Sequence, residues 1–249
     1  MHNDTDNIQK FPVQKELLRI PPEARAVHNG IVRALESMEN GNAQSCLADD
    51  FKLSYFRVFE LFEQYQQMVI QHNNYKVSCK RGCAYCCNHW VEDVNSFEAA
   101  IIAEYLRKYF PDSIEKIVAQ CIEDEAILNN IEKLTIDRMS DIDDTGTIDY
   151  IDLVLSVFYQ MNRTCPLLSE NGACSIYKVR PLTCRIYMSF SENALCAPEY
   201  QETDDIPTYL LNLDENASEI LDRLHFRYQR FPEETGLRSM LVKYLTEDT

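Results

Sequence analysis

The stretch Phe51-Lys-Leu-Ser-Tyr55-Phe-Arg-Val58-Phe-Glu-Leu-Phe62-Glu-Gln-Tyr65-Gln-Gln-Met-Val69 decides the fold class. Its bulky apolar residues recur at alternating steps of four and three. That spacing lays Phe51, Tyr55, Val58, Phe62, Tyr65 and Val69 along one face of a 3.6-residue helix. Further along the chain, Ala99, Ile102, Leu106 and Tyr109 make a second stripe, and Asn95 with Glu98 have the identities of a capping box. Pro111-Asp112-Ser113 closes that helix and opens another, whose face is Ile114, Val118, Cys121 and Leu128. A helix is expected over about residues 149–161. Two short helices carry Leu221, Leu224 and Tyr228, then Leu237, Leu241 and Tyr244, with Pro232 between them at a first-turn position. Period-two alternation is absent, and so are internal repeats.

Charge narrows the function. The 249 residues include 24 Lys and Arg against 40 Asp and Glu, a net charge of −16. Such a surface repels phosphate backbones and anionic lipid, so neither nucleic acid nor membrane is an expected partner. With 6 glycines, the chain has little material for a glycine-rich phosphate cradle. No apolar run opens the sequence, and none reaches the roughly 18 residues a membrane span needs. The expected compartment is the cytoplasm, where thiols stay reduced. Ten cysteines there point to metal or redox chemistry before disulfides.

Eight of the ten cysteines fall into two groups. The first, Cys79-Lys-Arg-Gly-Cys83-Ala-Tyr-Cys86-Cys87, reads C-x3-C-x2-C-C; the second comprises Cys165, Cys174, Cys184 and Cys196. On a helix the first four would share an arc of roughly 100°, from the 3.6-residue period, and so converge on one metal centre or two. Asn171-Gly172 is a tight-turn signal that brings Cys165 and Cys174 together as a metal knuckle. Residues 76–90 and 163–185 each carry a net charge of +3 in an acidic chain. Cations beside thiols lower their pKa and offset the charge of a thiolate-rich site. Metal chelation therefore outweighs simple burial of eight small apolar residues. The expected architecture is mostly α, a helical domain with two irregular cysteine-rich metal-binding segments. Residues 1–74 form an N-terminal helical segment and 75–200 a cysteine-cluster domain with a helical insert. Residues 201–249 add C-terminal helices packing on the same core.

These segments resemble the YkgJ-type cysteine-cluster family, whose CxxxCxxCC domain is named for zinc or iron chelation. Cys165-Pro-Leu-Leu, Cys174-Ser-Ile-Tyr177 and Arg180-Pro181-Leu-Thr-Cys184-Arg185 are similar to that family's C-P-x-L, C-x-I-Y and R-P-x-x-C-R segments. The resemblance runs over about residues 76–197. It implies a metal site, with zinc or an iron–sulfur cluster as cofactor, and assigns no reaction. A related cysteine signature occurs in flagellin lysine methylases, so the alternative is an iron–sulfur redox or protein-modifying enzyme. Whether the chain is an enzyme stays open. Its partners are then a metal ion and, through the acidic helical surface, another protein.

Rival readings of the same residues are weaker. Cys79-x3-Cys83-x-Tyr85-Cys86 also fits the radical S-adenosylmethionine pattern, but that motif belongs after a barrel strand with a glycine-rich segment following. Thiolates suit zinc and iron–sulfur clusters alike. His89, two residues after Cys87, is a candidate substitute ligand, though a histidine beside Trp90 more often makes a plain polar contact. Residues 141–152 follow an EF-hand's order of acids, with Thr145 and Asp152 departing from it. An acidic connector favouring the next helix's N-terminus is the better account. Cys46 and Cys121 sit alone in helical segments and read as core packing.

Overall fold

The computed structural model describes residues 19–74, 76–79, 82–139, 150–190, 192–200, 208–231 and 236–247. The quoted stripe is the buried face of α2 (Asp49–His72): Phe51, Tyr55, Val58, Phe62, Tyr65 and Val69 are all at most 3% exposed. Against it packs α1 (Pro22–Asn40), which starts on a proline whose missing N–H no helix turn needs. Ala24, Ile31, Leu35 and Met38 line the α1 face of that seam.

The next helix, α3 (Ser96–Tyr109), is buried almost all round. Its capping box forms as expected, the Glu98 carboxylate accepting the Asn95 backbone N–H at 2.9 Å. The other Glu98 oxygen accepts from the Tyr55 hydroxyl at 2.5 Å and from the Leu182 N–H at 2.8 Å, so the cap also docks the second cysteine segment. Phe97 meets the rings of Phe51 and Tyr55 edge-on, the arrangement the ring quadrupole favours. Of the predicted stripe, Tyr109 lies at the helix end and is exposed, its ring tilted against that of Tyr105.

After a 3-10 turn at Pro111–Ser113 comes α4 (Ile114–Met139), and then α5 (Tyr150–Gln160) packs on it. The buried face of α4 is Ile117, Cys121, Asp124 and Ile131, so Ile114, Val118 and Leu128 flank it half-buried. The face is rotated because its centre is a buried carboxylate, Asp124, which an apolar pattern does not count. A four-residue turn, α6 (Thr183–Ile186), leads into β1 (Tyr187–Ser189). That strand pairs antiparallel with β2 (Thr208–Leu210), Met188 opposite Tyr209. These three-residue strands were not expected. Finally α7 (Glu215–Tyr228), capped by Asp214 accepting the Ala217 N–H, packs on α1 and α3, while α8 (Gly236–Thr246) packs on α3 and α4.

Buried residues of α1, α2, α3, α7 and α8 belong to one core that reaches Leu167, Ile176 and Leu182 of the second cysteine segment. Trp90, Ile131, Val154 and Phe158 form a smaller one. No helix among the described residues is long and apolar enough to cross a membrane. Residues 140–149, with most of the acidic stretch, and Pro232 lie outside the described residues.

Candidate metal centre

The first cysteine group is not one helix. Gly82 sits at φ +86°, a left-handed conformation that breaks helical continuity, and among the described residues of the segment only Tyr85–Asn88 coils, as a single 3-10 turn. Upstream of it, the Ser78 N–H donates to the Ser189 carbonyl at 3.0 Å and the Ser189 N–H to Cys79 Sγ at 3.3 Å. Cys79 is thus tied to β1, and the expected arc of four thiols on one face does not form. Within the 3-10 turn, adjacent Cys86 and Cys87 hydrogen-bond to each other through their side chains.

The second group folds as the Asn171-Gly172 turn foretold. Gly172 takes φ +74°, Ser169 and Ala173 close the turn at 2.9 Å, and Leu168 bridges Cys174. Cys165 and Cys174 end the two arms of this loop. Its tip leans on the first group, for a Cβ on Gly172 would stand 3.6 Å from the Gly82 carbonyl oxygen. Cys184 follows within α6, and Cys196 ends a 3-10 turn at Asn193–Cys196. The Cys196 carbonyl accepts the Tyr159 hydroxyl.

The two groups meet. Cys79, Cys83, Cys86 and Cys196 line one pocket, walled further by Tyr85, His89, Tyr159 and Tyr187. Its volume of about 20 Å³ admits a single ion or water, far below the several hundred Å³ of a small-molecule site. Cys87 lies within electrostatic reach of Cys86, Cys165 and Cys184, and Cys184 within reach of Cys165, Cys86 and Cys174. Cys79 is exposed and the other seven are half-buried; no disulfide joins any of the ten.

Ionisation follows this arrangement. A hydrogen bond from Cys87 pulls the Cys86 thiol down to about 7, helped by the Arg180 guanidinium and opposed by burial. The same bond, then burial, holds the Cys87 proton in place far above the ordinary thiol range. Burial likewise raises Cys79, Cys165, Cys174, Cys184 and Cys196. A metal taking these donors must therefore displace protons. His89, stacked on Tyr159 at 3.8 Å, is lowered to about 4 by burial and stays neutral. Cys46 and Cys121 are in the core, though Cys46 lies in the turn between α1 and α2 and not in a helix, and burial pushes the Cys121 thiol up to about 12.

The cations differ from those the spacing suggested. Arg163 pairs with Asp124 and Glu123, and Arg185 holds Glu63 and three carbonyls while covering the Phe59 ring. Arg180 does lie by the thiols, favouring ionised Cys86, Cys174 and Cys184, and its buried Nε has no hydrogen-bond partner. From α8 comes a residue the spacing did not reveal. Arg238, 2% exposed, donates to Asp124 at 2.9 Å, to the His89 carbonyl at 2.9 Å and to the Arg163 carbonyl at 3.4 Å. It joins the flanks of both cysteine segments, and its charge favours ionised Cys165.

Among the described residues no three histidine, cysteine, aspartate or glutamate side chains are already gathered into a finished metal cage. The donor chemistry nonetheless fits a thiophilic ion. Reduced thiols from both groups adjoin, and an orphaned guanidinium nitrogen stands beside three of them.

No curated protein and no solved structure matches the chain. A family model does, over residues 78–206, more than half its length, with one residue more between Cys79 and Cys83 than the family's title spacing. That span holds both cysteine groups, and the chain belongs to the CxxCxxCC family, described as a "putative zinc- or iron-chelating domain".

Proposed function

We propose that this protein chelates zinc or iron through the thiolates of Cys79, Cys83, Cys86, Cys87, Cys165, Cys174, Cys184 and Cys196. One observation carries the reading: cysteines far apart in sequence adjoin in the fold, Cys196 beside Cys79 and Cys87 beside Cys165 and Cys184. Such convergence of soft donors suits zinc and iron–sulfur centres equally. Bound there, the metal supplies a cross-link and a thiophilic Lewis acid. The chain's own part is to hold thiols, release their protons and place Arg180 against the surplus negative charge. Anaerobic purification followed by elemental analysis and a visible spectrum is the test. Zinc or iron retained in fixed proportion to the chain is expected. A reduced chain that holds neither metal and takes up none on reconstitution overturns the reading.

Iron–sulfur redox or protein-modifying chemistry is the second reading, favoured by the exposure of Cys79 at the pocket. The small pocket volume weighs against an organic substrate reaching the thiols. A cluster absorbance that bleaches on reduction and returns on oxidation would support it.

A further inference from the structure

We propose that the start of α8 clamps the two cysteine segments together at the metal centre, with Arg238 as the positioning residue that sets their spacing. This rests on the chelation reading above and adds to it how the donors are held in place. Residues 236–238 lie beyond the 78–206 span that the family model matches, so the clamp is a feature of this chain outside that domain.

The chain leaving the first cysteine group runs alongside the chain entering the second. Asn88, next to Cys87, donates from Nδ2 to Asn162 Oδ1 at 2.6 Å, and the His89 ring stacks on that of Tyr159. The first turn of α8 closes this joint. Its Leu237 N–H donates to the Val91 carbonyl at 2.7 Å. Gly236 comes so near Trp90 that a Cβ would stand 2.8 Å from Nε1. Arg238 then spans both segments. Its Nη1 donates to the His89 carbonyl at 2.9 Å, two residues past Cys87. Its Nη2 donates to the Arg163 carbonyl at 3.4 Å, two residues before Cys165.

The guanidinium is itself fixed from behind. Its Nε donates to Asp124 Oδ2 at 2.9 Å, and the other oxygen of that fully buried carboxylate accepts from Arg163 Nε at 2.7 Å. The rings of Trp90 and Phe158 lie 5.4 and 5.3 Å from its central carbon. A buried ion pair contributes little stability that apolar side chains would not, whereas a rigid fork of donors fixes distances and directions that they cannot. Metal ligation tolerates errors of only about 0.2 Å, so donors from two distant segments need such a fixture. Pairing with Asp124 would have sufficed for stability alone; the two carbonyls, one at the edge of each cysteine group, set Arg238 apart.

The reduced full chain is loaded anaerobically with Co2+, whose d–d bands report the geometry of thiolate ligation, and the ion is titrated against a chromophoric chelator. Measurements are made where far-ultraviolet dichroism shows each metal-free chain folded. Arg238→Lys keeps the charge, but one ammonium cannot span acceptors now held from three nitrogens. Its affinity should fall about 10–100-fold, the usual loss when a residue that orients ligands is removed, and its d–d bands should shift. The double variant Arg238→Leu, Asp124→Leu fills the buried site with apolar groups. It should show the same loss while melting close to the parent, and it decides the matter should the lysine variant not fold. Leu35→Ala opens a cavity in the buried face of α1 and lowers the melting temperature, yet should keep the parent's affinity and bands. Parental affinity and bands in the double variant, or an equal loss in Leu35→Ala, overturns the clamp and leaves chelation standing. A parent chain that holds no metal as purified and takes up no Co2+ overturns chelation, and the clamp with it.

Discussion

At the scale of single residues, Arg238 registers three segments at once, since one guanidinium holds Asp124, the His89 carbonyl and the Arg163 carbonyl. Arg238→Leu leaves the fully buried Asp124 with Arg163 alone, and breaking such a buried pair costs about 3–5 kcal/mol. The melting temperature should fall accordingly, and the double variant Arg238→Leu, Asp124→Leu should recover most of the loss. A single variant that melts like the parent would remove Arg238 from this role. Cys121→Ser tests the opposite kind of position. It should keep full metal content while losing roughly 1–3 kcal/mol for a hydroxyl placed in an apolar site. Loss of metal from it would redraw the ligand set. The candidate ligands were legible because cysteine is scarce and its spacing is conspicuous. Arg238 was not, because a lone arginine in a short amphipathic helix reads as a solvated one. Nothing in the order of residues says that Asp124, more than a hundred positions earlier, will be buried opposite it.

Elements were legible where one periodicity dominates. In α2 the stripe from Phe51 to Val69 is regular and fully used, so Phe62→Ala should cost about 3–5 kcal/mol, read by denaturant unfolding. Where polar or left-handed residues intervene, pattern reading slips. Asp124 rotates the buried face of α4, and Gly82 at φ +86° turns an apparent helix into a loop and one 3-10 turn. The pair β1–β2 escapes notice because three residues carry no detectable alternation and gain their partners from afar. The start of α8 offers a sharper test. Gly236 stands at φ +74°, and a Cβ there would lie 2.8 Å from both Trp90 Nε1 and the Val91 carbonyl oxygen. Gly236→Ala should therefore cost more than the ~1–2 kcal/mol of the left-handed backbone alone. It should also loosen the Leu237 N–H bond to Val91, which is 2.7 Å long. A variant melting within a degree of the parent would mean that the helix start shifts freely.

For the whole molecule, the helical core and the thiol sites are distinct sources of order. The faces of α1, α2, α3, α7 and α8 meet in one core built without Cys79, Cys83, Cys86 or Cys196. A strong chelator under reducing conditions should lower the melting temperature and open residues 79–87 to protease, while the far-ultraviolet dichroism of the helices persists at room temperature. An unchanged melting curve together with unchanged proteolysis would assign that order to packing alone. The juxtaposition of Cys87 with Cys165 has a consequence in polymer terms. An ion held by both is a knot in the chain, closing a loop of roughly 80 residues, and if it stays bound on unfolding it removes about 4–5 kcal/mol of the disordered chain's freedom, on the entropic account of such cross-links. The stability lent by the metal would then reside mostly in what the unfolded chain is forbidden to explore.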